Sequence, residues 1–202
     1  ILHLYDNKKY EEVIKLSEKI NLKTTDQYWI FYLKGLSHLN LRDYENAIIE
    51  FKRSLNILPE SATSFLQLGI CFQKKQEFEN AESHYISATL KKDNYIEAIS
   101  NLANLYKDFG YTEKSKNYIN IATKINPKFP QIYNIKGSLY EINNDLTKAK
   151  KYYLKALSLN NSYHEPKFNL SLIHLFTNNF REGWRYFDSR WKNEAYINKI
   201  LN

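Results

Sequence analysis

Apolar residues recur along this chain at spacings of three, four and seven, which places them on single faces of helices. Over residues 62–95 the pattern describes two helices joined by a tight turn. Phe65, Leu68, Gly69 and Phe72 share a face of the first, and Phe78, Ala81, Tyr85 and Ala88 a face of the second. The pattern returns every 34 residues without insertion or deletion. Gly35, Gly69, Ala103, Gly137 and Ser171 hold a small position in the first helix. Val13, Ala47, Ala81, Ser115, Ala149 and Gly183 hold the centre of the second. A fixed period of this length means that each helix pair buries its apolar face on its neighbours. One stacked array is therefore expected, not a set of globular domains.

The predicted helices cover residues 1–5 and 9–21, 26–39 and 44–57, 62–75 and 78–90, 95–109 and 113–125, 130–142 and 146–159, and 162–177 and 180–190. Asp43 and Ser61 are candidate N-caps, because a short side-chain acceptor satisfies free N–H groups of the first turn. Pro59 cannot continue a helix, and Pro130 suits a first helical position. Gly110 suits a left-handed helix end. Residues 192–202 are read as a last helix that covers the open end of the array.

The period and its Leu-Gly, Tyr, Ala, Phe, Ala and Pro positions resemble the tetratricopeptide repeat (TPR). The resemblance implies an all-α fold, a right-handed α-solenoid of antiparallel helix pairs forming a TPR superhelix. It implies a partial repeat over residues 1–27 and full repeats over 28–61, 62–95, 96–129, 130–163 and 164–197 of a single array. The family is mostly a protein- and peptide-binding scaffold. Its first helices line a concave groove, touched at their second, fifth, ninth, twelfth and thirteenth positions. Carried onto this chain, those positions give Gln73, Lys74, Glu97, Asn104, Lys107, Gln131, Asn134 and Glu141 as the polar centre of a peptide groove. They give Trp29, Tyr32, Leu36, Phe168, Leu172 and Phe176 as its apolar ends, which suit contact with further protein or with another copy of the chain. The family's carboxylate clamp needs Lys where this chain carries Tyr32, Leu66, Ser100, Asn134 and Phe168, so a chaperone-tail adaptor is not expected. Asn101 and Asn169, with Gln67 in register, are similar to the Asn ladder in the TPR arm of protein O-linked N-acetylglucosamine transferases, interrupted by Leu33 and Ile135.

The last repeat departs from the generic one. Phe180, Glu182, Gly183, Trp184, Phe187, Asp188, Arg190 and Trp191 resemble a motif of the last repeat of bacterial TPR proteins, with Phe187 for Tyr and Asp188 for Glu. In those proteins the motif often precedes a glycosyltransferase-like domain. Two alternatives therefore stand beside the groove scaffold: a substrate-presenting or docking arm of a larger glycosyltransferase, and a scaffold that self-assembles through its apolar ends. The plainer account makes this repeat an end cap, with Arg190 pairing with Asp188 or Glu182.

A net charge of +7 raises the question of nucleic acid. The groove positions answer against it, since they hold Lys74 and Lys107 against Glu97, Asp108, Glu141 and Glu165. The positive excess lies on second helices and turns, including Lys52, Arg53, Lys148, Lys150 and Lys151. Phosphate binding needs cations that converge on one track. Cys71 stands alone, which excludes an internal disulfide and a Cys-cluster metal site. His38 and His174 share the register of Phe72, Tyr106 and Tyr140 and read as packing residues. With no phosphate loop or nucleophile motif, this segment is expected to hold no catalytic, cofactor-binding or metal residues. No apolar run suggests a membrane span, and a cytoplasmic setting is expected. The chain has no Met and begins partway into a repeat, which points to a segment of something longer.

Overall fold

The computed structural model describes residues 1–20 and 26–187. Every regular element among them is an α-helix: α1 (Leu2–Asp6), α2 (Tyr10–Ser17), α3 (Asp26–Asn40), α4 (Tyr44–Ile57), α5 (Ala62–Lys74), α6 (Phe78–Lys91), α7 (Ile96–Asp108), α8 (Thr112–Ile125), α9 (Pro130–Ile142), α10 (Leu146–Leu159), α11 (His164–Phe176) and α12 (Phe180–Phe187). Consecutive helices pair: α1 with α2, α3 with α4, α5 with α6, α9 with α10 and α11 with α12. The fold is all-α, as the repeat pattern predicts.

Each pair is joined by three residues, and the middle one is always left-handed. Lys8, Arg42, Gln76, Gly110, Asn144 and Asn178 have φ of 59°, 63°, 61°, 81°, 58° and 58°. The first helix ends in the same pair of backbone bonds each time. After α5, Glu77 N donates to Phe72 O at 2.9 Å and Gln76 N to Gln73 O at 3.0 Å. This is the Schellman arrangement, which satisfies carbonyls left free at a helix end. Two of the second helices, α4 and α10, then start on a side-chain cap, whereas α2, α6 and α8 have none. Asp43 accepts from Asn46 N at 3.3 Å and Asp145 from Lys148 N at 3.0 Å. Between pairs, Ser61 does the same for Ser64 N at 3.1 Å.

Two boundaries differ from the periodicity by more than one residue. The helix expected over 9–21 ends at Ser17. The helix expected from residue 162 starts at His164, because Ser162 N and Oγ turn back to Asn160 Oδ1 at 3.0 and 2.7 Å. The capping helix expected over 192–202 lies outside the described residues.

The described helices fall into two compact units, Ile1–Leu105 and Tyr106–Asn202. In the first, Val13, Ala47, Phe51, Leu68, Ala81, Tyr85, Ala98 and Leu102 form the sealed interior. Phe51 and Tyr85 lie against Gly35 and Gly69, where a Cβ would fall 2.7 and 2.4 Å from the rings. In the second, Ala149, Tyr153, Leu157, Leu170 and Ile173 form the core, with Tyr140, Leu146, Tyr163 and Tyr186 packed on it.

Candidate functional site

The first unit gathers its groove candidates on α3, α5 and α7. Tyr28 packs on Trp29 and Tyr32 at centroid distances of 4.9 and 5.7 Å, Trp29 lies 6.0 Å from Tyr32, and Trp29 is 58% exposed. The Tyr28 hydroxyl lies 2.8 Å from Ser61 Oγ and 3.0 Å from Thr63 Oγ1, which fixes the cluster to α5. Burial and the nearby Tyr28 push the Tyr32 hydroxyl above its ordinary range, although it hydrogen-bonds Gln67 and Thr63. Tyr95 joins this cluster. Burial first, then Glu97, Tyr32 and Tyr28, push its hydroxyl up to about 12. Leu36 is half-buried, and Asn40 donates to its carbonyl at 2.8 Å. Further along, Gln73 accepts from the Tyr85 hydroxyl at 2.7 Å. Lys74 and Glu97 are exposed, and Asn104 is half-buried.

The second unit carries the rest. Lys107 pairs with its neighbour Asp108 at 2.9 Å. On α9, Glu141 accepts from the Tyr153 hydroxyl at 2.5 Å, and Ser138 Oγ lies 3.1 Å from the same oxygen. Asn134 accepts from Asn169 Nδ2 at 3.4 Å and also bonds Tyr163. Gln131 Oε1 is buried with no hydrogen-bond partner among the described residues. Burial, then Glu141, hold the Tyr153 hydroxyl far above its usual range; burial, then Glu165, do the same for Tyr163. Leu172 and Phe176 are open, at 40% and 78% exposure, whereas Phe168 is buried and stacks on Phe187 at 6.4 Å.

Gln73 and Glu141 occupy the same repeat position, as do Tyr85 and Tyr153. In both repeats a tyrosine of the second helix reaches through to hold a groove residue of the first. Sequence reasoning treats Tyr85 as packing and misses this role. The signal available to it is a Tyr twelve residues after a polar groove position. In the intervening repeat Lys107 and Ile119 stand there, so no hydroxyl serves Lys107.

The remaining candidate chemistry is structural. Cys71 is fully buried, and burial pushes its thiol up to about 12, where it is not nucleophilic. His38 does more than pack: its Nδ1 lies 2.9 Å from Asp43 Oδ2 and braces the cap of α4. Partial burial pushes Asp43 up, but the bonds from Asn46 and His38 outweigh it and leave its carboxyl below the ordinary range. In the last pair, Gly183 makes room for Leu175, whose Cδ2 would be 2.6 Å from a Cβ. Glu182 pairs with Arg185 at 3.3 Å, and Trp184 is 59% exposed, edge-on to Phe187 at 5.1 Å. Asp188, Arg190 and Trp191 lie outside the described residues. Among the described residues no group of three or more His, Cys, Asp or Glu could hold a metal ion. None of the described helices is long and apolar enough to cross a membrane.

A family model for the tetratricopeptide repeat matches residues 30–60, 96–129 and 130–163. Human protein O-mannosyl-transferase TMTC3 is 26% identical over 151 residues, which are 67% of this chain and 16% of that protein. The chain thus spans a small part of that relative. A thermophilic TPR protein of Thermus thermophilus shares 18% identity at a TM-score of 0.71, over 87% of this chain and 100% of the other. The APC/C hetero-tetramer Cut9-Hcn1 gives a TM-score of 0.80 at 14% identity, over 92% of this chain and 37% of the other. These structures share the fold. With its matched repeats, its period and its paired helices, the chain belongs to the tetratricopeptide-repeat family.

Proposed function

We propose that the chain is a protein-interaction scaffold that takes a protein or peptide segment on the face of its first helices. In the first unit the contacts are Gln73, Lys74, Glu97 and Asn104, beside the aromatic surface of Trp29 and Tyr32. In the second they are Lys107, Gln131, Asn134 and Glu141. The observation that supports this reading is the anchoring of Gln73 by Tyr85 and of Glu141 by Tyr153. A polar side chain held in place before binding loses less conformational freedom when a ligand arrives. Amides and carboxylates presented this way suit the N–H and C=O groups of an extended peptide.

The test is capture of polypeptides from a lysate by the chain and by its Asn104→Ala, Asn134→Ala double variant. The variant is expected to capture about tenfold less, the equivalent of ~1.4 kcal/mol in lost hydrogen bonds. Asn134 also bonds Asn169, so an unchanged circular dichroism spectrum and denaturation midpoint must accompany the loss. Undiminished capture moves the site off this face.

A second reading has its own support. The similarity to part of TMTC3 and the exposed Trp184 within the last-repeat motif favour a substrate-presenting or docking arm of a larger glycosyltransferase. The coding sequence before residue 1 and after residue 202 separates the two readings. A glycosyltransferase domain on either side supports the arm, and its absence from both removes it.

A further inference from the structure

A second surface lies on the other side of α9 from the groove candidates. At about 100° per residue, Gln131, Asn134, Ser138 and Glu141 centre on one side of that helix, and Tyr133, Lys136 and Tyr140 on the opposite one. On that opposite side α8, α9 and α10 enclose a hollow of about 360 Å³, floored by Ile119 and Leu139. Tyr152 forms one wall and is shared with a neighbouring hollow of about 520 Å³ along α10, which Lys151 and Lys155 line. All of these residues belong to the second unit.

The walls are tyrosine and the rim is lysine. Tyr152 stacks on Tyr140 at 5.3 Å and 8° and on Tyr133 at 6.5 Å and 19°. Lys116 and Lys148 have carboxylate partners, Glu113 and Asp145. Among the described residues no carboxylate lies within ion-pair reach of Lys136, Lys151 or Lys155. Lys136 is half-buried, with its ammonium 5.5 Å from the Tyr133 centroid and 3.4 Å from Thr123 Oγ1. Burial holds it below the ordinary lysine range, the mark of a cation short of counter-charge. An apolar floor rimmed by Lys136, beside a hollow lined by Lys151 and Lys155, is complementary to an apolar side chain flanked by carboxylates.

The same geometry argues against stacked nucleobases. A base needs an open ring face. The three rings stack on one another, and the two outer ones are already covered: Lys148 Nζ lies 5.3 Å from the Tyr140 centroid and Lys155 Nζ 5.9 Å from that of Tyr133. The hollow offers ammonium groups and phenol edges, which suit carboxylates.

We propose that the α8–α9–α10 face binds an acidic peptide segment of a partner protein. An apolar residue of that segment enters the hollow over Ile119 and Leu139, and its flanking carboxylates meet Lys136, Lys151 and Lys155. This site is separate from the one proposed above, and the two fail independently.

The test uses the 202-residue chain and a fluorescently labelled peptide of Glu and Asp around a single Leu, with anisotropy as readout. The Lys151→Glu, Lys155→Glu double variant changes two exposed positions on α10 and is expected to keep its fold. Its binding is expected to weaken by about tenfold or more, because two attractions become repulsions. Lys136→Gln is expected to weaken binding too, and replacing the Leu of the peptide by Gly to weaken it further. The Asn104→Ala, Asn134→Ala variant is expected to bind the peptide as the parent does. Three results overturn the proposal: no binding to the parent chain at low salt, equal binding to the charge-reversed variant, or tighter binding of a single-stranded oligonucleotide that competes with the peptide.

Discussion

At Gly69 one added methyl group would stand 2.4 Å from Cδ1 of Tyr85, and at Gly137 2.5 Å from Cε1 of Tyr153. The glycine is there because the facing residue is aromatic. In the fourth repeat the same two positions carry Ala103 and Ile119, a bulkier residue on one side and a smaller one on the other. Gly69→Ala should therefore destabilise the protein by about 1–3 kcal/mol through overpacking. In a Tyr85→Ile background most of that cost should vanish, because the flat ring that the added methyl meets is gone and the two residue types are those the fourth repeat carries in the same register. Urea denaturation of the parent, both single variants and the double variant measures the coupling. A cost for Gly69→Ala that is the same in both backgrounds would show that the ring is not its cause. Tyr85 has a second role at this scale, since its hydroxyl is what holds Gln73.

The recurring element is a helix pair whose turn requires one left-handed residue. Of the six such positions only Gly110 is glycine; Lys8, Arg42, Gln76, Asn144 and Asn178 adopt the same backbone. A side chain there costs about 1 kcal/mol relative to glycine, from the contact of Cβ with the following carbonyl. The helix end is worth that cost, because its two Schellman bonds satisfy carbonyls that would otherwise be left without partners. Gly110→Ala isolates the backbone effect, since its Cβ would meet no atom within 4 Å. The expected loss is ~1 kcal/mol in chemical denaturation, and Gln76→Gly is expected to gain a smaller amount because the freed chain also gains entropy. A neutral Gly110→Ala would mean that this turn relaxes away from its left-handed form.

For the molecule as a whole, the abundance of tyrosine links stability to pH. Tyr5, Tyr32, Tyr95, Tyr152, Tyr153 and Tyr163 are all pushed above their ordinary value, chiefly by burial. A raised phenol keeps its proton in the folded state at a pH where the unfolded chain has lost it. Its contribution to stability is complete below about pH 10, the unfolded value. It falls as pH rises toward the folded value, about 12 for Tyr95. Each phenol still protonated in the folded state adds a loss of ~1.4 kcal/mol per pH unit in that window. Denaturation midpoints should therefore fall steeply above about pH 10, and phenolate absorbance should rise together with unfolding. Tyr95→Phe should flatten the fall. Phenolate absorbance that rises fully while helicity persists would show these hydroxyls to be open to solvent.

The sequence alone determined the period, the helix pairs, the small positions where helices meet, the caps at Asp43 and Ser61, and which residues share the face of the first helices. All of these are local: a 3.6-residue period and a short polar cap act within a turn or two of the chain. Tertiary packing decided the rest. It placed Lys8, Arg42 and Gln76 in a backbone that their residue types do not announce, because the bonds closing the turn outweigh the local preference. It buried Phe168, which its register alone marks as an open apolar end. It brought Tyr85 to Gln73 and Tyr153 to Glu141, and it assembled tyrosines and lysines of three helices around one hollow. Those meetings depend on the distance between helix axes and on the rotamers that packing selects, and neither is encoded in the spacing of residues along the chain.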